Sequence, residues 1–228
     1  SNGYLWPESI LQLNPAYQHG SSIEELCHNG TLHPGCEDFF GPKLRLYSHQ
    51  EQAVQNAKNK SNFILTTGTG SGKSLTYLIP IIDSILRNEP QKHNVRAIII
   101  YPMNALINSQ FIALETFRNN RDFPVKFAKY TGQQSNSDKE KIIEDKPHII
   151  LTNYMMLELM LLRPKENVFV DALLSNIEFL VLDELHIYRG RQGSDISYLL
   201  RRLKERSGNK KIICIGTSAT MAVGDNRL

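Results

Sequence analysis

Three short runs leave this chain little choice of architecture: Ile98-Ile99-Ile100, Ile149-Ile150-Leu151 and Leu180-Val181-Leu182. None alternates apolar with polar residues. A strand with one wet face alternates, whereas a strand apolar at every position is covered on both faces, as in a parallel sheet between helices. Six segments read as strands: Phe63–Thr67, Val95–Tyr101, Val125–Tyr130, His148–Thr152, Phe179–Asp183 and Lys211–Thr217. Helical spacing fills the intervals, with Leu75, Leu78, Ile79, Ile82, Ile85 and Leu86 in one segment. Ile107, Phe111, Leu114 and Phe117 repeat the pattern, and so do Ile196, Leu199, Leu200 and Leu203. Pro80 removes a backbone donor inside the first of these helices and is expected to kink it. The βαβα order predicts a doubly wound α/β fold.

Composition agrees with one large domain. The chain has 228 residues, of which 41% are hydrophobic and 21% charged. That profile excludes collagen-like, low-complexity and disordered chains. Apolar stretches are too short for a membrane span, and no signal segment is evident. Three cysteines are too few for a disulfide framework, so a soluble, cytoplasmic protein is expected. A net charge of +3 permits nucleic-acid binding without arguing for it. Residues 1–42 hold four prolines (Pro7, Pro15, Pro34, Pro42) and no clear period, and are expected to form an irregular extension to a domain over 43–228. Cys27, His28, His33 and Cys36 cluster there, but their spacing matches no standard zinc pattern, so buried reduced thiols are favoured over a metal site.

Thr67-Gly68-Thr69-Gly70-Ser71-Gly72-Lys73-Ser74 follows one strand directly and opens the next helix. Glycines allow a tight turn that aims backbone N–H groups inward, and the helix N-terminus adds partial positive charge for a phosphate. Lys73 is expected to reach the β- and γ-phosphates, and the Ser74 hydroxyl to bind Mg²⁺. At a later strand end stand Asp183 and Glu184. An acid at the carboxyl end of a buried parallel strand lies beside the phosphate loop. Asp183 is expected to hold Mg²⁺ and Glu184 to polarise the attacking water.

Here the chain resembles the superfamily 2 helicases. Asp183-Glu184-Leu185-His186 looks like their DExH box, which brings His186 into the catalytic set, and Thr67–Ser74 fits their phosphate loop, in which the first position is commonly not Gly. Leu46-Tyr47-Ser48-His49-Gln50 resembles the glutamine motif, so Gln50 is expected to read the adenine edge with its two-sided amide. Tyr101-Pro102-Met103-Asn104-Ala105-Leu106 resembles motif Ia and Leu151-Thr152-Asn153-Tyr154 the Ib region. Ser218-Ala219-Thr220 matches the motif that couples ATP to nucleic acid, implying that role for Ser218 and Thr220. The Tyr-Pro-Met-Asn-Ala-Leu and Asp-Glu-Leu-His wording looks like that of large bacterial DNA helicases related to Lhr and MrfA (YprA).

The resemblance implies a RecA-like P-loop NTPase domain, the first of two in an ATP-dependent helicase, with ATP and Mg²⁺ as cofactors. It implies nucleic acid as partner, DNA favoured over RNA, gripped by loops at Pro102, Asn104, Thr131, Gly132, Thr152 and Asn153. Tyr130 is either part of that grip or a half-buried strand end. Arg201, Arg202, Lys204 and Arg206 read as a solvated face near a helix C-terminus, while Arg189 and Arg191 are better placed for a functional loop. The second RecA-like domain lies outside these residues, so a monomeric, nearly inactive fragment is expected. The alternatives are a double-strand DNA translocase and an ATP-switched binding module.

Overall fold

The computed structural model describes residues 18–68, 70–88, 94–118, 123–162, 174, 176–208 and 211–219. Its first two strands, β1 (His19–Ser22) and β2 (Arg45–Tyr47), make a small antiparallel ribbon. The main sheet holds β3 (Phe63–Thr66), β4 (Ala97–Tyr101), β5 (Phe127–Tyr130), β6 (Ile149–Asn153), β7 (Phe179–Leu182) and β8 (Ile213–Ser218). Its order is β3-β8-β7-β4-β6-β5, and every pairing is parallel. These are the six strands expected from the sequence, displaced by at most two residues at their ends.

Both faces are covered, as the continuous apolar runs require. Ile99, Tyr101, Leu151 and Val181 turn toward α3 (Ser48–Lys58), α4 (Lys73–Arg87) and α5 (Asn104–Phe117). Ile98, Ile100, Ile150, Leu180 and Leu182 turn the other way, toward α7 (Tyr154–Leu162) and α8 (Arg191–Ser207). The period of 2 along each strand sorts alternate residues into two cores. α6 (Asn136–Asp145) packs outside β5 with no buried side chain. α4 runs unbroken through the buried Pro80. Among the described residues, no helix is long and apolar enough to cross a membrane.

The described part of the N-terminal segment corrects the irregular extension expected there. β1, α1 (Ile23–His28) and α2 (Gly35–Phe40) are regular elements, and the two helices belong to the main core. Ser22 opens α1 with a reciprocal capping box: its hydroxyl accepts from Glu25 N at 3.1 Å, and its own N–H donates to the Glu25 carboxylate at 2.8 Å. Phe39 meets Phe40 edge-on, stacks on Phe117 and lies tilted against Phe123. Asp83 of α4, 5% exposed, accepts from His33 N at 2.6 Å and from Arg87 Nε at 3.0 Å. Arg87 then donates to the Gly30 and Thr31 carbonyls, which stitches the segment to the phosphate-loop helix. Two six-residue helices are too short to show a 3.6-residue period, and that is why the sequence pattern missed them. Cys27 and Cys36 sit in this core. Burial pushes the Cys27 thiol up to about 11 and that of Cys36 higher still, which keeps both neutral.

Candidate nucleotide site and strand-end loops

Because all six strands run parallel, their carboxyl ends meet along one edge of the sheet. That edge collects the phosphate loop after β3, the Pro102–Asn104 turn after β4, Thr131 after β5, Asn153 at the end of β6 and Asp183–His186 after β7. Ser218 closes β8 beside them, and its carbonyl accepts from Thr67 N at 3.2 Å. Thr69 and Thr220 lie outside the described residues.

The loop is braced from three sides. Thr67 and Ser71 join hydroxyls across its neck, and Ser71 is fully buried. His49 Nε2 sits 3.1 Å from the Ser71 carbonyl. Burial lowers the pKa of His49, and the Ser71 carbonyl partly opposes that effect. Gly72 is left-handed at φ +69°, and a Cβ there would come within 2.6 Å of Gln50 Nε2. Only glycine satisfies both constraints. Gly70 is left-handed as well. Gly68 and Lys73 complete the turn, with Lys73 Nζ donating to the Thr67 and Gly68 carbonyls at 3.4 and 3.3 Å. The ammonium is therefore held over the loop by weak partners that an anion can replace.

Gln50, expected to read the adenine edge, also braces the loop. It is 1% exposed, its Oε1 accepts from Tyr47 N at 2.8 Å, and its Nε2 donates to the Gly72 carbonyl at 3.0 Å. Each side of the amide makes one backbone bond, and through them Gln50 anchors the loop.

At the acidic box, Asp183 is 6% exposed. Burial raises its carboxyl pKa, and a hydrogen bond from Thr217 works against that shift. Thr217 is fully buried: its hydroxyl donates to Asp183 Oδ1 and accepts from Glu184 N at 3.2 Å. One side chain thus fixes both acids. The sequence reading passed it over, although it adjoins Ser218 in the coupling motif. Glu184 stands at φ +53°, an uncommon conformation for a non-glycine residue that turns its carboxylate off the strand axis. Its Oε2 lies 3.2 Å from His186 Nδ1, and both atoms are buried and otherwise unpartnered. The pair forms an ion pair whenever the imidazole is protonated. Leu185 packs on Gly216 of β8, where a Cβ would fall 2.3 Å from its Cδ1.

The other strand ends differ from expectation in part. Thr131 and Thr152 are buried, at 2% and 0% exposure. The Thr131 hydroxyl donates to Gln134 Oε1 at 2.9 Å, and that of Thr152 to the Tyr130 carbonyl at 2.7 Å. Both hydroxyls donate within their own loops in this structure. Tyr130 is fully buried, which resolves it as a core residue. Asn153 caps α7 by accepting from Met156 N at 2.9 Å, and its Nδ2 donates to Asn104 Oδ1 at 2.8 Å. Pro102, Asn104 and Asn153 are half-buried and Gly132 is exposed, so this edge offers a ligand backbone and amide groups. Arg189 is exposed and donates to the His186 carbonyl, Arg191 opens α8, and Arg201 pairs with Glu205 on the solvated face.

This arrangement, a parallel sheet with a phosphate loop and a buried acid pair at neighbouring strand ends, defines the RecA-like class of P-loop domain. The DEAD/DEAH box helicase profile matches residues 47–227, and the chain belongs to that family. An uncharacterised ATP-dependent helicase of Methanocaldococcus jannaschii is 35% identical over 186 residues, covering 78% of this chain and 26% of the relative. The uncharacterised ATP-dependent helicase YprA of Bacillus subtilis is 34% identical over 179 residues, with 78% and 23% covered. The crystal structure of the DUF1998 helicase MrfA bound to DNA superposes with a TM-score of 0.77 at 29% identity, covering 90% of this chain and 26% of that one. The chain therefore spans about a quarter of the length of these relatives.

Proposed function

We propose that this chain is the first RecA-like domain of an ATP-dependent DNA helicase, and that it binds ATP·Mg²⁺ at the edge where β3, β8 and β7 end. The carrying observation is the convergence of Lys73 with Asp183 and Glu184. Lys73 lies near enough to Asp183 to favour its ionised form. The residues fit a magnesium nucleotide: a glycine loop, a cation on replaceable partners, a hydroxyl at Ser74, and a buried carboxylate nearby. Mg²⁺ would supply charge neutralisation on the β- and γ-phosphates. Ser74 and Asp183 would hold it, Lys73 would leave the loop carbonyls for the phosphates, and Glu184 would accept a hydrogen bond from the attacking water. The Thr217 hydroxyl, bonded to the Asp183 carboxylate and the Glu184 N–H, would help set where both acids stand.

DNA is favoured because the MrfA relative was solved bound to it. The strand would lie over Pro102, Asn104, Gly132 and Asn153, contacted through backbone and amide groups that do not read sequence. A second RecA-like domain belongs in the remaining length of the protein, facing the nucleotide with an arginine finger, which is worth about 10³–10⁵ in turnover in related NTPases. The 228-residue chain alone is therefore expected to be a monomer that binds nucleotide weakly and hydrolyses it very slowly.

The test is ATP hydrolysis and strand separation by the full-length protein on DNA and on RNA. DNA-stimulated hydrolysis abolished by Lys73→Ala supports the reading. Hydrolysis by the isolated chain at the full-length rate would refute the need for a second domain, and stimulation by RNA alone would refute the choice of DNA. Translocation on duplex without strand separation would make it a double-strand motor.

A further inference from the structure

The helix α3 meets the phosphate loop with two successive side chains. His49 Nε2 lies 3.1 Å from the Ser71 carbonyl, and Gln50 Nε2 donates to the Gly72 carbonyl at 3.0 Å. A carbonyl oxygen only accepts, so the bond puts the His49 proton on Nε2. Burial lowers the pKa of His49, which keeps the ring neutral near pH 7 with that single N–H. Tyr47 steadies both side chains. Its ring lies nearly parallel to that of His49, at 19° and 5.6 Å between centroids, and its backbone N–H donates to Gln50 Oε1.

The consequence lies in the two peptide units that these side chains hold. A peptide unit is planar and trans, so its N–H points opposite to its C=O. With the Ser71 carbonyl turned to His49, the Gly72 N–H of the same unit points away from α3. With the Gly72 carbonyl turned to Gln50, the Lys73 N–H does likewise. Two successive N–H groups thus face one side, across a left-handed Gly72 (φ 69°, ψ 35°) and the Lys73 that opens α4. Successive N–H groups in such a turn make a concavity for an anion, and the first N–H groups of a helix have no partner within it.

We propose that His49 is a positioning residue for nucleotide binding: by holding the Ser71 carbonyl, it aims the Gly72 N–H at the β-phosphate. The inference rests on the nucleotide site assigned above, where loop N–H groups of this kind cradle the α- and β-phosphates. Glycine at 72 lets the peptide plane rotate at little cost, and the His49 bond removes that freedom before the anion arrives. The imidazole acts through the Ser71–Gly72 peptide, as Gln50 acts through the next one.

The test uses full-length protein carrying His49→Phe, His49→Gln or His49→Asn. Phe keeps a ring beside Tyr47 and removes the donor. Gln supplies an amide donor of similar reach, and Asn carries the same amide one methylene short. Equilibrium affinities for ADP and for inorganic pyrophosphate are measured, together with steady-state ATP hydrolysis on DNA and thermal melting without ligand. Phe and Asn should weaken ADP and pyrophosphate alike, by roughly three- to ten-fold, the range that one neutral hydrogen bond supports. KM for ATP should rise by the same factor while kcat holds, because the contact serves ground and transition states equally. Gln should restore wild-type values. Wild-type affinities in Phe or Asn would reduce His49 to a structural brace and overturn the proposal, whatever the melting temperatures show. Gln as weak as Asn would overturn it too, since the donor would then not be what matters. A loss for ADP with none for pyrophosphate would assign His49 to the base, and the proposal would fall. If Phe does not fold, the comparison of Asn with Gln decides alone. Wild-type protein that binds neither ADP nor pyrophosphate would refute the nucleotide site itself, a result separate from any difference among the variants.

Discussion

The carboxyl ends of the two halves of the sheet present opposite chemistry. Where β3, β8 and β7 end, the groups are charged and the backbone is unusual: Lys73 over its loop, Asp183 buried, Gly70, Gly72 and Glu184 at positive φ. Where β4, β6 and β5 end, the groups are neutral, and most are bonded to one another: Asn104 to Asn153, Thr131 to Gln134, Thr152 to the Tyr130 carbonyl. The first half keeps charge and conformational cost in reserve, as transfer of a phosphoryl group demands. The second is satisfied and ordered, which suits a surface that grips a polymer without reading it.

The sharpest way to break this contrast is at Glu184. Glu184→Gln should lower the rate of hydrolysis by roughly 10²–10⁴-fold, the usual contribution of a positioned base, while nucleotide affinity stays near wild type. Steady-state kinetics and equilibrium binding of a fluorescent nucleotide check both halves of that statement. Equal losses in rate and affinity would mean that Glu184 holds the ground state.

Thr217→Val keeps the shape of the side chain and removes the hydroxyl that both acids use. Leaving a buried acceptor and a buried N–H unpaired should cost about 1–3 kcal/mol in denaturant melts. The Thr217 hydrogen bond lowers the Asp183 pKa, so its loss should raise that pKa further. The acid limb of the pH–rate profile should therefore move to higher pH.

Asp183→Asn should have the opposite effect on stability. Burial raises the folded-state pKa of Asp183 above its ordinary value. For this group the folded state binds a proton more readily than the unfolded chain does. Its contribution to stability is full below the unfolded pKa and is lost as pH rises through the folded one. The variant should be inactive but melt higher than wild type near neutral pH, and this gain should shrink as pH falls into the carboxylate range. Such a trade of stability for activity is expected on the charged half alone.

On the neutral half, Asn153→Ala should cost about 1 kcal/mol through loss of the α7 cap, and weaken oligonucleotide binding by less than about ten-fold, the worth of one neutral hydrogen bond. The smallest effect should come from Arg201→Ala. Arg201 and Glu205 are an exposed i,i+4 pair, worth at most about 0.3–0.5 kcal/mol, and DNA affinity should not change measurably. A large loss of affinity there would move the nucleic-acid surface onto α8.

Strand identity, the phosphate loop and the acid pair were legible in the sequence because each is a local pattern. Ile98-Ile99-Ile100 must be covered on both faces wherever it sits, and Gly72-Lys73-Ser74 after a strand carries its chemistry in consecutive residues. The N-terminal helices were not legible: six residues are less than two turns, and their apolar residues gain meaning only when Phe39 meets Phe117 and Asp83 meets His33. Side-chain roles divided the same way. The helicase resemblance implied Thr131 and Thr152 as ligand groups, and in the fold each hydroxyl has a nearby internal acceptor. Gln50 looked like a base reader, and the folded chain turned its amide onto Gly72.

The sequence by itself determined a parallel sheet with phosphate chemistry at one strand end, because periodicity and loop geometry are short-range. Only the tertiary structure decided which polar groups remain free to act. Thr217 reaches across to Asp183, and Tyr77 to Tyr101, over separations of 34 and 24 residues that no spacing rule spans. Hydrogen bonds saturate: a donor spent inside the fold is withdrawn from the ligand, and only three-dimensional proximity settles where it is spent.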